Sequence, residues 1–220
     1  MKTTNQVLLT TLLMVIVIGF QNCAKETTEP TPSIWNYSSF TDSRDGKIYK
    51  SIQIGTQLWM AENLSFQTSS GSWIYWNDES LGAKYGRLYT WAAAKEAVPA
   101  GWHLPTDEEW KKLEMTLGMS QADADCVDGR GTNEGDKLKT TKGWENNKNG
   151  TDAVGFAALP GGFRSNSGSF LAAEYYAYWW TATENNDSNA WIRLVVSSNS
   201  TIHRNNSYKA DAYSVRCIKD

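Results

Sequence analysis

Apolar and polar positions divide this chain into a leader and a body. Residues 7–20, VLLTTLLMVIVIGF, form an almost unbroken apolar run behind Lys2. At about fourteen residues the run is too short for a comfortable membrane span and suits the hydrophobic region of a secretory signal. Residues 24–33, AKETTEPTPS, are polar and carry two Pro, a composition that cannot pack and predicts an extended spacer. Beyond residue 34 the spacing becomes that of a folded body, and Trp35, Tyr37 and Phe40 mark its first ordered segment. Ile48, Ile52 and Ile54 recur at even spacing, which predicts a strand over residues 48–54 with one buried face. Gly55-Thr56 turns the chain into a partner strand over residues 57–60.

Two helices stand out further on. Residues 90–97, TWAAAKEA, are rich in alanine and end before Pro99 and Gly101. Thr106 followed by Glu109 has the spacing of a capping box, with Asp107, Glu108 and Glu109 placed where the helix dipole favours anions. Trp110, Leu113 and Leu117 then form one apolar stripe, and Gly118 ends the helix. Residues 65–82 read as a polar, aromatic loop, and residues 120–152 as mostly loop anchored by Leu138 and Trp144. The last third is β in character, with strands over 178–182, 190–196, 201–204 and 213–218 and a hairpin turn at 197–200. Gly161-Gly162-Phe163-Arg164 reads as a tight backbone passage beside an aromatic core.

A net charge of −3 and a pI near 5.5 leave no basic face for nucleic acid. Eleven Trp and ten Tyr stand beside two His. So many large rings cannot all be exposed, so most are expected in the core. Trp73, Tyr75 and Trp76 cluster in one loop and form the candidate sugar-stacking platform, with Tyr175, Tyr176 and Tyr178 as a second. His103 and His203 have no Cys, His or acidic neighbour at ligand spacing, which argues against zinc. Calcium is the metal left open, at Asn185-Asn186-Asp187 or within residues 132–136. No nucleophile elbow, P-loop or dinucleotide fingerprint is present.

Cys23 follows the apolar run directly, and Phe20-Gln21-Asn22-Cys23 resembles the lipobox of bacterial lipoproteins. That resemblance implies a signal peptide over residues 1–22, acylation of Cys23, and stable anchoring by more than one lipid chain. Phe20, Gln21 and Asn22 depart from the aliphatic and small residues preferred there. Lys25 and Glu26 resemble the charged residues that send some lipoproteins to the outer face of the outer membrane. The chain thus divides into a signal at 1–22, anchor and linker at 23–40, and one domain at 41–220.

Within that domain, Asp45-Gly46-Lys47-Ile48-Tyr49, Trp59-Met60-Ala61-Glu62-Asn63-Leu64 and Tyr85-Gly86-Arg87-Leu88-Tyr89-Thr90-Trp91 are similar to blocks of the Fibrobacter succinogenes major paralogous domain. Gly101-Trp102-His103-Leu104-Pro105-Thr106, Leu159-Pro160-Gly161-Gly162-Phe163-Arg164, Tyr178-Trp179-Trp180-Thr181-Ala182 and Ser214-Val215-Arg216-Cys217 continue the same order. Family members are surface and secreted proteins of Bacteroidetes and Fibrobacteres without an established molecular role. The Gly-Trp-His-Leu-Pro-Thr block is also similar to one in the formylglycine-generating-enzyme group, which uses a variant of the C-type lectin fold. The resemblance therefore implies an α+β, C-type lectin-like domain: two helices on a small antiparallel sheet with long loops. Trp76-Asn77-Asp78 copies the calcium motif of such lectins but sits early and in a loop.

Formylglycine-type oxidation needs two late thiols, and Cys217 has no late companion. With Cys23 acylated, Cys126 and Cys217 either pair in the oxidising compartment or both stay free. Many family members place a Cys where this chain has Val98; if that Cys pairs with the one at Cys217, the resemblance implies that the usual partner is missing here. The expected function is a non-enzymatic lipoprotein of the cell envelope, held to the membrane through its lipid, that binds a glycan or an envelope protein. A structural or assembly role without a soluble ligand is the alternative, and an enzyme built on Asp107, Glu108 or Glu184 is a third.

Overall fold

The structure, a computed structural model, describes residues 35–220; the leader, Cys23 and most of the linker lie outside the described residues. Strand β1 (Ser38–Thr41) occupies the last residues of the expected linker and pairs antiparallel with β2 (Ile48–Ile54). The hairpin of β2 with β3 (Gln57–Met60) is the expected one. Its burial differs from the expectation of one apolar face. Ile52 and Ile54 are buried, but Ile48 lies beyond the covered part of the strand and is 64% exposed. Tyr49, on the opposite face, is fully buried.

Next come β4 (Ser72–Trp73), α1 (Glu79–Tyr85), β5 (Leu88–Tyr89), α2 (Trp91–Ala97), β6 (Trp102–His103) and α3 (Asp107–Thr116). Both expected helices form. Thr90 caps α2, its hydroxyl accepting from Ala93 N, and α3 has the complete capping box between Thr106 and Glu109. The stripe Trp110, Leu113 and Leu117 is buried. The expected long loops hold further short elements: α1, α4 (Gln121–Asp125), β7 (Asp128–Arg130) and α5 (Glu134–Leu138). The description as two helices on one small sheet is therefore too spare. Local caps start two of the extra helices, α1 and α4: Asp78 accepts from Ser80 N and Leu81 N, and Ser120 accepts from Asp123 N.

The chain ends with β8 (Gly161–Arg164), β9 (Phe170–Ala173), β10 (Tyr176–Glu184), β11 (Asn189–Val196), β12 (Ile202–Tyr208) and β13 (Ile218–Lys219). One sheet runs β1-β2-β3-β13-β6, another runs β7-β12-β11-β10-β8-β9, and β4 and β5 pair by themselves. Pairing is antiparallel apart from β8 with β10. The architecture is α+β. Of the strand expected over 213–218 only its end pairs as a ladder; Tyr213 and Ser214 form isolated bridges to Tyr89 and Trp179. Gly162, at φ +63, passes so close to β9 that an added Cβ would lie 2.3 Å from Leu171 O.

Strands alternate their side chains between two cores. Trp180, Leu194 and Met60 enter one apolar cluster, whereas their neighbours Trp179, Val195 and Trp59 enter the other. Seven of the eleven Trp are buried, in line with the expectation that most serve the core. The second core centres on Trp110, whose ring lies 5.0 Å from Trp59, 5.8 Å from Phe156 and 5.7 Å from Trp179.

A buried ionic network ties α3 to the larger sheet. Arg193 donates to Glu114 Oε1 at 2.7 Å and to Asp107 Oδ1 at 2.8 Å. Arg130 holds the other oxygen of Glu114 at 2.5 Å, and Arg204 holds Asp107 at 2.8 Å. Burial alone would raise the Asp107 carboxyl; Arg204 and Arg193 override it and hold the pKa at about 2. Among the described residues no helix is long and apolar enough to cross a membrane.

Candidate functional site

The aromatic loop does not present the three rings together. Tyr75 is buried beneath Phe170, with ring centroids 5.3 Å apart, and its hydroxyl accepts from Ala173 N. Trp73 is half-buried, with the Arg164 guanidinium 4.0 Å from its ring centroid. Only Trp76 is exposed, at 68%, in a one-turn 3-10 helix where it takes a φ of +53. Asp78 of the lectin-like triplet is spent on capping α1. In the second candidate, Tyr176 and Tyr178 stack at 5.6 Å and are half-buried, and Tyr175 is 45% exposed.

A different place has the properties of a site. Between β2, the segment after β3, α1 and the segment before β8 lies a cavity of about 290 Å3. Lys47, Lys50, Lys84 and Arg216 line it, against one carboxylate, that of Glu62. Four cations at one cavity contrast with the chain's net charge of −3. The Glu62 carboxylate is already engaged, accepting from Lys50 N at 2.8 Å.

Arg216 is the centre of this arrangement. It is 1% exposed, and its hydrogen bonds go to neutral acceptors. Nε and Nη2 donate to Asn63 Oδ1 at 3.2 and 3.1 Å, Nη1 to Phe156 O, and Nη2 also to Ala157 O. Among the described residues it makes no contact ion pair; Asp152 and Glu62 act on it from farther away. Burial draws its pKa down to about 9, so it stays charged at neutral pH. A buried cation hydrogen-bonded only to neutral acceptors favours an added anion.

The surrounding groups are shifted too. Burial, then the charge of Asp152, raise the Tyr37 phenol to about 12, so it remains protonated. Burial also raises Asp152, against the Ala157 N–H and Arg216. Ala157, on the cavity wall, takes a φ of +53. Shifted groups and a left-handed non-glycine residue in one cleft are features that concentrate at functional sites.

The remaining candidates resolve as follows. His103 is held between two carboxylates, Nδ1 to Asp220 at 2.7 Å and Nε2 to Glu109 at 2.8 Å, neighbours that linear spacing conceals. Burial lowers its pKa, but Asp220 and Glu109 outweigh burial and raise it. A raised histidine stabilises the fold fully below the unfolded pKa, and that contribution fades as pH climbs through the folded value. Stability should therefore fall from about pH 6.5 upward, and His103→Gln should flatten that fall. Urea midpoints across this range check it; parallel curves for the two proteins would reject the assignment.

The expected bridge between Cys126 and Cys217 does not form. Cys126 is exposed at the end of α4, whereas Cys217 is fully buried in the first core. Burial pushes the Cys217 thiol up. The two calcium loops spend their oxygens on turns: Asn186 Oδ1 accepts from Ser188 N and Asn189 N, and Glu134 Oε2 from Thr132 N and Asn133 N. Among the described residues no group of three or more His, Cys, Asp or Glu side chains could hold a metal ion. Asp107 belongs to the arginine network, while Glu108 and Glu184 point outward, with side chains 71% and 55% exposed.

Sequence reasoning missed the Arg216 cavity. Residues 52–219 match the profile of the Fibrobacter succinogenes major domain. No curated protein and no solved structure matches this chain.

Proposed function

We propose, from the premise that this chain belongs to the Fibrobacter succinogenes major domain family, that it is an envelope lipoprotein whose lectin-like domain binds a ligand without transforming it. The leader and Cys23 supply the address: acylation there anchors the domain to the outer membrane and presents it to its ligand. The lectin-like description rests on the resemblance of residues 101–106 to the formylglycine-generating-enzyme group, joined to the α+β architecture.

The observation that carries the binding role is Arg216, a buried cation without a contact anion among the described residues, at a lysine-lined cavity. Such a cavity recognises a carboxylate or similar anionic group, and its volume suits one sugar-sized unit. The acids named for an enzymatic reading support binding instead. Asp107 is neutralised by arginines, and Glu108 and Glu184 point outward. An assembly role without ligand would favour one flat apolar face. Among the described residues the exposed large apolar side chains are Ile48, Trp76, Val127, Leu171, Tyr175 and Tyr208, scattered along the chain.

Calorimetric titration with glucuronate and with glucose tests the reading. Glucuronate should bind and glucose should not, and the affinity should fall with added salt. The double variant Lys50→Glu/Lys84→Glu should weaken glucuronate by at least about tenfold at an unchanged Tm, since both lysines are exposed. Equal heats for the two sugars would sink the proposal.

A further inference from the structure

The cavity does not end at its own wall. Lys84 also lines a second, more open depression of about 480 Å3, formed with Asn146, Asn147, Glu145 and Glu174. Trp144 holds this shelf in place, its buried indole donating to Thr140 Oγ1 and Ala158 O. Glu145 N donates to Glu174 O, which fastens the shelf to the turn before β10. Asn146, Asn147 and Glu174 take φ values of +49, +57 and +70, and both asparagines are exposed.

Charge changes sign along this path. The Arg216 end carries four cations against Glu62; the shelf carries Glu145 and Glu174, with Lys84 at the junction. Resting on the Arg216 reading above, we infer that cavity and shelf form one groove for an acidic oligosaccharide, with its single anionic unit over Arg216 and a neutral, hydroxyl-rich unit on the shelf. A polyanion is disfavoured, because its second charge would meet Glu145 and Glu174. Sugar hydroxyls donate to carboxylates and exchange hydrogen bonds with amides in both directions, which is the chemistry the shelf offers. A peptide is less suited, since the groove walls are mostly side chains and turns rather than an open strand edge.

The test compares four probes on the full chain: glucuronate, a disaccharide with glucuronate at one end and glucose at the other, diglucuronate, and a short peptide with one carboxylate. The mixed disaccharide should bind at least about tenfold tighter than glucuronate, and diglucuronate should gain nothing. Asn146→Gly/Asn147→Gly removes both amides while suiting the left-handed backbone, so folding should persist. It should abolish the disaccharide gain and leave glucuronate binding unchanged. Glu145→Gln/Glu174→Gln should let diglucuronate bind as tightly as the mixed disaccharide.

Glucuronate binding without a disaccharide gain would overturn the groove and leave the Arg216 reading standing. No binding of any probe would overturn both. A peptide that bound tighter than the disaccharide would replace the saccharide with a peptide ligand.

Discussion

Glu114→Ala should cost about 3–5 kcal/mol of folding stability. Glu114 is fully buried, and its two oxygens hold Arg193 at 2.7 Å and Arg130 at 2.5 Å. Without it, Arg193 keeps Asp107, but Arg130 keeps only the carbonyls of Ala124 and Ile202. The cost is that of stranding buried charge rather than the net worth of the pairs, because desolvating both partners offsets much of their attraction. Glu114→Gln should cost less, since the amide oxygen still accepts and the volume is kept. Against the 5–15 kcal/mol typical of a domain, the alanine variant should be partly unfolded at modest urea, read as a shifted midpoint at constant slope. A loss below about 1 kcal/mol would mean that water reaches the two guanidinium groups and that the network is not closed.

Trp179→Ala should have a comparable effect, about 3–5 kcal/mol, for a different reason. Its ring is 1% exposed and meets Trp110 and Phe156 at 5.7 and 5.6 Å. Truncation leaves a cavity that these two rigid aromatic neighbours cannot collapse into. The indole N–H also donates to Asn63 Oδ1 at 3.0 Å, the same oxygen that accepts from Arg216. Trp179→Phe separates the two contributions: it keeps most of the packing and loses one hydrogen bond, for roughly 0.5–1.5 kcal/mol plus a small packing loss. If the two variants prove equally destabilised, the bond to Asn63 rather than ring packing dominates.

Local chemistry made parts of this fold legible in the sequence. The start of α3 is written within four residues, Thr106 to Glu109, and the β2–β3 hairpin within one turn. Helix α1 is less visible because its cap, Asp78, is also the last residue of Trp76-Asn77-Asp78, which resembles a lectin triplet. The Arg216 cavity was not visible, since nothing local marks it. Arg216 reaches Phe156 across 60 positions and Asn63 across 153. Two of the three lysines, Lys47 and Lys50, flank the start of β2, and the third, Lys84, comes from α1. In Ser214-Val215-Arg216-Cys217 the arginine served as a mark of family likeness, and only tertiary contacts show what it faces. The aromatic loop misled for the opposite reason: three rings close in sequence are turned to different environments by the left-handed backbone at Trp76 and Asn77.

The position of β13 has a consequence for how the domain comes into being. Ile218 pairs with Trp59 on one side and His103 on the other, so the strand that joins β3 to β6 is synthesised well after both of them. A chain emerging from its N-terminus cannot close this sheet early; its halves must wait, with aromatic surface uncovered, until residue 218 is free. Pulsed proteolysis of stalled chains should show protection of Trp59 and Trp102 arising in one step when that strand emerges. Gradual protection beforehand would show that β1, β2 and β3 fold alone. The domain is thus built to fold as a whole, once β13 joins β3 to β6.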